Sequence, residues 1–466
     1  MAEDKSRWIS CQVRSVCQRV RGHNGLPFQD LLSSELLEDV IRETGTTCRD
    51  CVYTPAVTVW TFLSQVLSAD HSCRDAVMRL RTHRVCEGRP PCSADTSPYC
   101  KARRRLPQQL PLKLARRVGA ELHRIARQDK SFLNGRSLKL ADGSTLSMPD
   151  TPSNQAEYPQ PNTQKPGVGF PLARFVVLID WSCGAVLDLA IGPYTGKETG
   201  ETALLRQMFD RLTAGDIIVA DTYFGNWWTI AMLHARGVDV VFPLHQLRTC
   251  DFRRGTRLGF EDHTVIWPKP QRPKWMNRDA YESLPSDLVI RELRVHSEDP
   301  TTRADHITLV TTLTDHDLYP KEQISKAYGW RWDSELDLRS IKSCLQMDVL
   351  RCKSPEMVCK EIGMHLLAYN LIRTVMVESA HQHDRHPREI SFKGTLQALN
   401  AFRGAAVLSS PEKLPMLYDD LLAMIATHRV RNRPGRVEPR ALKRRPKPHK
   451  LLTVPRNVAR RRCPET

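Results

Sequence analysis

The feature that most constrains the fold is the order of the apolar runs between residues 138 and 243. Runs typical of short strands occupy residues 138–146, 173–180, 185–191, 215–224 and 239–242, and helical patterns at 201–212 and 226–236 separate the last three. A tight turn at residues 181–184 joins the second and third runs as a hairpin. The pattern therefore predicts three strands, then a helix, a strand, a helix and a final strand.

This order is that of a ribonuclease H-like α/β sheet, in which the first strand lies beside the fourth. Asp142 lies near the end of the first strand, and Asp221 follows the apolar part of the fourth. Either residue alone is explained equally well as a turn residue. Because the topology makes their strands neighbours, the two carboxylates are expected to lie side by side.

A second set of polar residues follows further along the chain. Tyr328, Arg331, Glu335 and Lys342 stand at i, i+3, i+7 and i+14, offsets that share one face of an α-helix. This helix is expected to start at Pro320 and to be continuous. Its cations can bind phosphate and its carboxylate can bind Mg²⁺, which suits a phosphodiester held against a metal ion. A solvated surface helix with chance spacing is the alternative.

The remaining patterns divide the chain into five segments. Residues 1–135 predict a helical N-terminal domain that binds DNA ends, although a helical cap on the next domain explains the pattern nearly as well. Residues 136–244 and 319–385 are the two parts of the α/β core, residues 245–318 are a β-rich insertion, and residues 386–466 hold helices and a basic tail. The tail is rich in Arg, Lys and Pro and is expected to bind DNA phosphates without reading sequence.

The net charge of the 466 residues indicates which kinds of molecule the protein binds. The formal net charge is +17, and such a basic chain usually binds a polyanion, with nucleic acid favoured over an anionic membrane surface. No apolar run approaches the roughly 18 residues that span a bilayer, and the first residues lack a signal-peptide core. These features predict a cytoplasmic protein.

The fourteen cysteines include one CxxC pair, Cys48 and Cys51. A zinc site normally needs a second tight pair, and Cys86 and Cys92 are too widely spaced to supply one. These residues are therefore expected to be ordinary thiols in a reducing compartment.

Two carboxylates from the sheet and one from the helix, Asp142, Asp221 and Glu335, can hold two Mg²⁺ (or Mn²⁺) ions about 4 Å apart. Such ions activate an attacking water or 3′-hydroxyl and stabilise the leaving oxygen. Glu198, Glu201 and Asp333 are further acidic candidates, and the last two fit less well. Asp333 is turned by about 200° from Glu335 around the helix, and Glu201 is explained as a charge at a helix N-terminus.

Three motifs together resemble the DDE signature of the insertion-sequence-four transposase family. They are Asp142-Gly-Ser-Thr, Asp221-Thr-Tyr-Phe224 and Tyr328-x2-Arg331-x3-Glu335-x6-Lys342. The last motif is the distinctive one and has no gap or substitution. The resemblance covers roughly residues 136–380, including the β-rich insertion.

The resemblance implies a ribonuclease H-like catalytic core that carries out cut-and-paste transposition of DNA in bacteria, in the cytoplasm at the nucleoid. Asp142, Asp221 and Glu335 would bind the Mg²⁺ ions. The partners would be the terminal inverted repeats of a transposable element and a target DNA. The family acts as a homodimer on paired ends.

The same resemblance assigns DNA contacts. Tyr328, Arg331 and Lys342 would contact the terminal phosphates. Trp267 or Trp275 in the insertion would stabilise a flipped base during a hairpin step, and packing of either ring on the insertion sheet explains these residues at least as well.

Two other functions use the same fold. One is a catalytically inactive DNA-binding regulator, which the intact acidic triad disfavours. The other is a metal-dependent nuclease, which would cleave DNA without joining a 3′-hydroxyl to a target strand.

Overall fold

The computed structural model describes residue 32 and residues 34–46, 51–86, 88–126, 132–296, 306–430 and 451–462. Within these ranges the chain is a mixed α/β structure with one nine-stranded sheet. Cys48 of the CxxC pair and residues 431–450 of the basic tail lie outside the described residues. No helix among the described residues combines the length and the hydropathy that a membrane crossing requires.

The sheet contains every strand of the described residues in the order β3-β2-β1-β4-β5-β9-β8-β7-β6. The strands are Leu138–Ser147 (β1), Leu172–Asp180 (β2), Val186–Pro193 (β3), Ile217–Val219 (β4), Asp239–Pro243 (β5), Thr256–Gly259 (β6), Asp262–Pro268 (β7), Asp287–His296 (β8) and His306–Thr311 (β9). Strands β1, β4 and β5 run parallel to one another, and the other neighbouring pairs are antiparallel. The prediction that the first strand lies beside the fourth is therefore confirmed.

Helices precede the sheet, connect its strands and follow it. They are Ser34–Glu43 (α1), Pro55–Val66 (α2), Cys73–Cys86 (α3), Ser97–Arg105 (α4), Leu110–Ile125 (α5), Pro152–Glu157 (α6), Glu201–Arg206 (α7), Trp227–His234 (α8), Arg278–Glu282 (α9), Lys321–Gly329 (α10), Trp332–Arg339 (α11), Pro355–Gln382 (α12), Phe392–Leu408 (α13), Leu414–Thr427 (α14) and Arg456–Arg461 (α15). The predicted helix at 201–212 is shorter than expected, because α7 ends at Arg206 and a separate 3-10 turn follows at Phe209–Arg211.

Helix α12 connects the N-terminal helices to the sheet. It has 28 residues and is buried on nearly all sides, which is typical of a helix inside a core. Its Asn370 side chain donates hydrogen bonds to the carbonyls of Ala115 in α5 (2.8 Å) and Val186 in β3 (2.9 Å), and accepts one from the Val186 N–H (2.9 Å). One hydrophobic cluster contains residues of α2, α5, β1, β2 and α12. The first helices therefore share a core with the sheet.

The β-rich insertion extends the central sheet. Strand β9 pairs with β5, and β8, β7 and β6 follow outward from it. The strand content expected for residues 245–318 is thus present and continuous with the core sheet. The five domain boundaries themselves stay predictions.

Candidate active site at the ends of β1 and β4

The register of β1 and β4 brings Asp142 and Asp221 to corresponding positions. Leu140 pairs with Val219, and each Asp lies two residues further along the chain. The expectation that Asp142 lies near the end of its strand is wrong, because β1 continues to Ser147, held by its pairing with β2. Asp221 stands where β4 gives way to a 3-10 turn, and its Oδ1 accepts a hydrogen bond from the N–H of Tyr223 at 2.9 Å. Asp221 is therefore a turn residue, as one interpretation of the sequence expected, and the hydrogen bond within this turn orients its carboxylate.

Asp142 is held from two directions. Its Oδ1 accepts the N–H of Gly143 at 2.8 Å, and its Oδ2 lies 2.7 Å from Oγ of the fully buried Ser334 in α11. Ser334 immediately precedes Glu335 in the sequence. This contact therefore brings helix α11, which carries Glu335, against Asp142 in β1.

The expectation of one continuous helix through the third motif is wrong. Helix α10 ends at Gly329, Trp330 and Arg331 form a turn, and α11 then begins at Trp332. A π-helical turn, Ser340–Cys344, follows α11. Because a π turn holds more residues than an α turn, ideal α-helical offsets no longer apply to Lys342.

The interruption at Trp330 has a packing cause. The Trp330 ring stacks on Trp181 with 3.6 Å between ring centroids and packs against Phe132 at 4.5 Å. Burying aromatic surface in such contacts stabilises the turn by more than the lost helical continuity costs. No periodicity within residues 320–342 signals this, because both partners come from elsewhere in the chain.

Three of the four motif residues nevertheless meet. The Arg331 guanidinium forms an ion pair with the Glu335 carboxylate, with 3.0 Å between Nη2 and Oε1. Burial raises the pKa of Tyr328, the charges of Asp221 and Glu335 raise it further, and Arg331 opposes the shift. Tyr328 and Arg331 therefore lie within electrostatic reach of Asp221. Glu335 joins this group through its ion pair with Arg331.

Lys342 approaches the same strand by a different contact. Its Nζ donates a hydrogen bond to Oγ of Ser144 at 2.7 Å. Ser144 lies two residues after Asp142, so both side chains project from the same face of β1. Lys342 thus places a positive charge beside the acidic cluster, and burial lowers its pKa.

The negatively charged forms of the Asp142 and Asp221 carboxylates are disfavoured by their surroundings. Burial raises the pKa of Asp142 above its usual range, the negative charge of Asp221 raises it further, and the hydrogen bonds from Ser334 and Gly143 oppose the shift. Burial also raises the pKa of Asp221, against its hydrogen bond from Tyr223 and the charge of Arg331. A bound cation would relieve this repulsion.

The donors fit a hard divalent cation, since carboxylate oxygens are the ligands that Mg²⁺ prefers. The three acids do not converge on one point. Among the described residues, the only set of three ligand atoms that lie within 4.8 Å of one another belongs to Cys250, His263 and Glu292. If two ions were bound, each by two of the three carboxylates, all three carboxylates would not have to meet at one point.

The two tryptophans predicted to contact a flipped base differ in exposure. Trp267 is 4% exposed, its Nε1 donates a hydrogen bond to Oε1 of Glu292 at 3.0 Å, and the guanidinium of Arg248 covers its ring at 3.7 Å. Trp275 is only partly buried, and the guanidinium of Arg206 stacks on its ring at 3.8 Å. Packing thus accounts for Trp267, and Trp275 has the more accessible ring.

Both neighbouring acids lie where the sequence placed them. Asp333 accepts a hydrogen bond from Nε1 of Trp181 at 2.9 Å. Glu201 is the first residue of α7 and therefore lies at a helix N-terminus, as expected. Its carboxylate also lies against Gly143, the residue after Asp142, and no local pattern in the sequence indicated this approach.

The chain is similar to known transposases over most of its length. Residues 134–371 match the family model described as the transposase DDE domain. The chain is 28% identical over 433 residues to the transposase InsG of insertion sequence element IS4 from Escherichia coli (strain K12), covering 90% of this chain and 91% of that relative. All of the acidic motif residues lie within the matched ranges of the family model.

Two further similarities are more limited. Over 89 residues the chain is 37% identical to the putative transposase InsL of insertion sequence element IS186A from Escherichia coli (strain K12), covering 19% of this chain and 24% of that protein. Among solved structures, a synaptic complex of piggyBac transposase with hairpin DNA aligns with 85% of this chain and 84% of its own, at 11% identity and a TM-score of 0.42. At that TM-score the likeness carries no conclusion about this chain.

Proposed function

Because this chain belongs to the transposase DDE-domain family, we propose that Asp142, Asp221 and Glu335 are the residues with which it cuts and joins DNA. The chain is a DNA transposase, and its resemblance to the insertion-sequence-four group extends over 90% of its length. The observation that carries the residue assignment is the contact of Ser334 with Asp142, because it brings the helix of Glu335 to β1, beside the strand that Asp221 follows. The order of β1 to β5 supports a ribonuclease H-like core.

The three carboxylates would hold two Mg²⁺ (or Mn²⁺) ions. When bound, such ions lower the pKa of an attacking water or 3′-hydroxyl and neutralise charge on the leaving oxygen. Asp142 and Asp221 are already oriented for this by hydrogen bonds from Gly143 and Tyr223. Those bonds fix the direction of each carboxylate, which favours the binding of an ion.

The basic residues of the motif would position the DNA backbone. Arg331 neutralises Glu335 in this structure and can turn to a phosphate, for which its planar guanidinium is suited. Lys342 lies beside the acids through Ser144, where its ammonium can bind a second phosphate oxygen. The hydroxyl of Tyr328 remains protonated because burial and neighbouring negative charges raise its pKa, so it can donate a hydrogen bond. Together these groups would hold the scissile strand in line.

The partners would be the terminal inverted repeats of the element and a target DNA. The net charge of +17 supports strong binding to phosphates, and α15 adds three exposed Arg residues in its six positions. Cutting and joining two ends requires an active site at each end, which a homodimer would supply.

The test is the substitution Glu335→Gln in the full-length protein. We expect DNA strand cleavage with Mg²⁺ to fall by at least about 1,000-fold, while binding to the same DNA stays within about twofold, because the change removes a metal ligand and no cationic contact. Asp333→Asn is the matched control, since its carboxylate bonds to Trp181 outside the site, and it should cleave normally. Cleavage by Glu335→Gln at the normal rate would refute the assignment.

A second measurement separates a transposase reaction from that of a nuclease. The wild-type protein is given a pre-cleaved end with a free 3′-hydroxyl and a circular target. Joined products are expected. Cleaved ends without any joined product, under conditions where cleavage is complete, would instead support a metal-dependent nuclease.

A further inference from the structure

A fourth carboxylate, that of Glu201, lies at the proposed active site. A β-carbon added to Gly143 would be only 2.5 Å from Cδ and 2.6 Å from Oε1 of Glu201. Gly143 directly follows Asp142, so the Glu201 carboxylate occupies space beside that residue that any side chain at position 143 would fill. The close approach of the Glu201 side chain thus explains why a glycine occupies position 143 in this strand.

Capping of its own helix does not explain the orientation of Glu201. It is the first residue of α7, which has only six residues, and Gly200 at the cap position makes no side-chain hydrogen bond. The structure shows no hydrogen bond from another described residue to the Glu201 carboxylate. The side chain is thus held beside Asp142 without an evident structural contact of its own.

The positive charge of Arg174 acts on Glu201 without forming an ion pair with it. Arg174 donates a hydrogen bond to the carbonyl of Thr199 at 3.3 Å, and its guanidinium covers the ring of Tyr194 at 4.8 Å. The negative charges of Asp221 and Asp142 raise the pKa of Glu201, so the three carboxylates lie within electrostatic reach of one another, and no ion pair among the described residues offsets the charge of Glu201. Three such charges repel one another unless a cation lies between them.

Glu201 and Glu335 approach from opposite sides of the sheet. Leu204 and Leu205 of α7 pack in the hydrophobic cluster on one face, whereas Leu338 of α11 packs in the cluster on the other. Alternate residues of β2 point into these two clusters, as they must for opposite faces. Helix α7 with Glu201 and helix α11 with Glu335 thus lie on opposite faces of the sheet that carries the Asp pair.

We propose that Glu201 is a fourth ligand of the divalent cations, on the side of the Asp142–Asp221 pair opposite to Glu335. This inference rests on the proposed function and extends it. Glu201 would supply an oxygen ligand on the face of the sheet opposite to the helix of Glu335. Each divalent cation binds several oxygen ligands, so two ions need more donors than three carboxylates provide.

The experiment measures metal binding without relying on catalysis. Mn²⁺ is titrated into the full-length protein, and free Mn²⁺ is counted by electron paramagnetic resonance. Glu201→Gln is expected to weaken the tightest Mn²⁺ binding by at least about tenfold, and Asp142→Asn should do the same. Glu198→Gln is the matched control, because this nearby carboxylate pairs with Arg206 and should leave Mn²⁺ binding unchanged.

A steric variant tests the same point without changing any charge. In Gly143→Ala the new methyl group meets the end of the flexible Glu201 side chain, which should turn away, so the protein should fold and bind Mn²⁺ about as weakly as Glu201→Gln. Thermal melting without metal checks folding. If the Gln variant does not fold, Glu201→Asp replaces it and should show intermediate affinity.

The outcomes separate the two proposals. Normal Mn²⁺ binding by Glu201→Gln together with weakened binding by Asp142→Asn would overturn the role of Glu201 and leave the proposed function intact. Normal binding by both variants would overturn both, because the acidic cluster would then not be the metal site.

Discussion

At the scale of single residues, the site is a set of like charges that the fold holds together. Burial raises the pKa values of Asp142, Asp221 and Glu201, and Asp221 raises those of the other two. Natural proteins accept such repulsion mainly where function requires it. Asp337, by contrast, is fully buried in the same region with two arginines as partners, and so is structurally satisfied.

The substitution Asp221→Asn should stabilise the metal-free protein at pH 7. The pKa of the Asp221 carboxyl is higher in the folded protein than in the unfolded chain. Folding therefore becomes less favourable as the pH rises from the unfolded pKa through the folded pKa. This loss of stability is complete above the folded pKa and persists at neutral pH. Removing the charge should raise the free energy of unfolding by roughly 1 kcal/mol. The gain should vanish at a pH below the unfolded pKa.

Thermal unfolding with and without Mg²⁺ measures this effect. Mg²⁺ should raise the melting temperature of the wild-type protein and should have little effect on Asp221→Asn, since ligands stabilise the state that binds them. The exposed Asp210→Asn should match the wild type in both conditions. An equal Mg²⁺ shift in all three proteins would contradict the expectation.

At the scale of elements, helix α11 is positioned by an ionic cluster. Asp337 on α11 forms ion pairs with Arg373 of α12 and with Arg388, and its Oδ1 accepts a hydrogen bond from the Tyr369 hydroxyl at 2.9 Å. All four side chains are largely buried. The same helix carries Ser334 and Glu335, so this cluster sets the distance from Glu335 to the sheet carboxylates.

The substitution Asp337→Ala should therefore be strongly destabilising. It leaves two buried guanidinium groups without their carboxylate, which typically costs about 3–5 kcal/mol. Denaturant unfolding measures the loss, and DNA cleavage should fall as well because Glu335 loses its support. Asp317→Ala, at a carboxylate that is 91% exposed, is the control. If Asp337→Ala lowered the free energy of unfolding by less than about 1 kcal/mol, the ionic cluster would not be what holds α11 in place.

At the scale of the whole molecule, one sheet and one shared core join segments that are far apart in the chain. Strands β6 to β9 extend the sheet from β5, and α12 packs against the N-terminal helices. The excess of positive charge is distributed over this body and over the C-terminal segment from residue 429. Non-specific attraction to DNA is thus expected of the whole chain, whereas the proposed function assigns cleavage to the acidic cluster beside the adjacent strands β1 and β4.

Deleting residues 431–466 should separate these two properties. Binding to random-sequence DNA at low salt should weaken by at least about tenfold, and its dependence on salt should become less steep, because fewer phosphates are neutralised. The melting temperature should change little, since α15 has no buried residue. Filter binding across a salt series measures the slope. An unchanged slope would show that the tail does not contact DNA.

Much of the site could be predicted from local patterns. The succession of strands between residues 138 and 243 and the types of residue in the cluster follow from hydrophobic periodicity and spacing, which are visible within short windows. The pairing of β1 with β4 was expected from the ribonuclease H-like order of these strands, and packing of Trp267 was one of two alternatives. The interrupted helix at Trp330 and the approach of Glu201 to Gly143 could not be predicted in this way. Each depends on a contact between side chains that are distant in the sequence.

The sequence by itself determined which carboxylates the chain carries, the succession of its strands along the chain and its excess of positive charge, because these follow from composition and from the period of apolar residues. Only the tertiary structure decided which elements bring these acids near one another. Ser334 holds the helix of Glu335 against Asp142, and Glu201 lies against Gly143 on the opposite face of the sheet. The physical reason is that packing between distant elements sets these distances, and no local pattern encodes it.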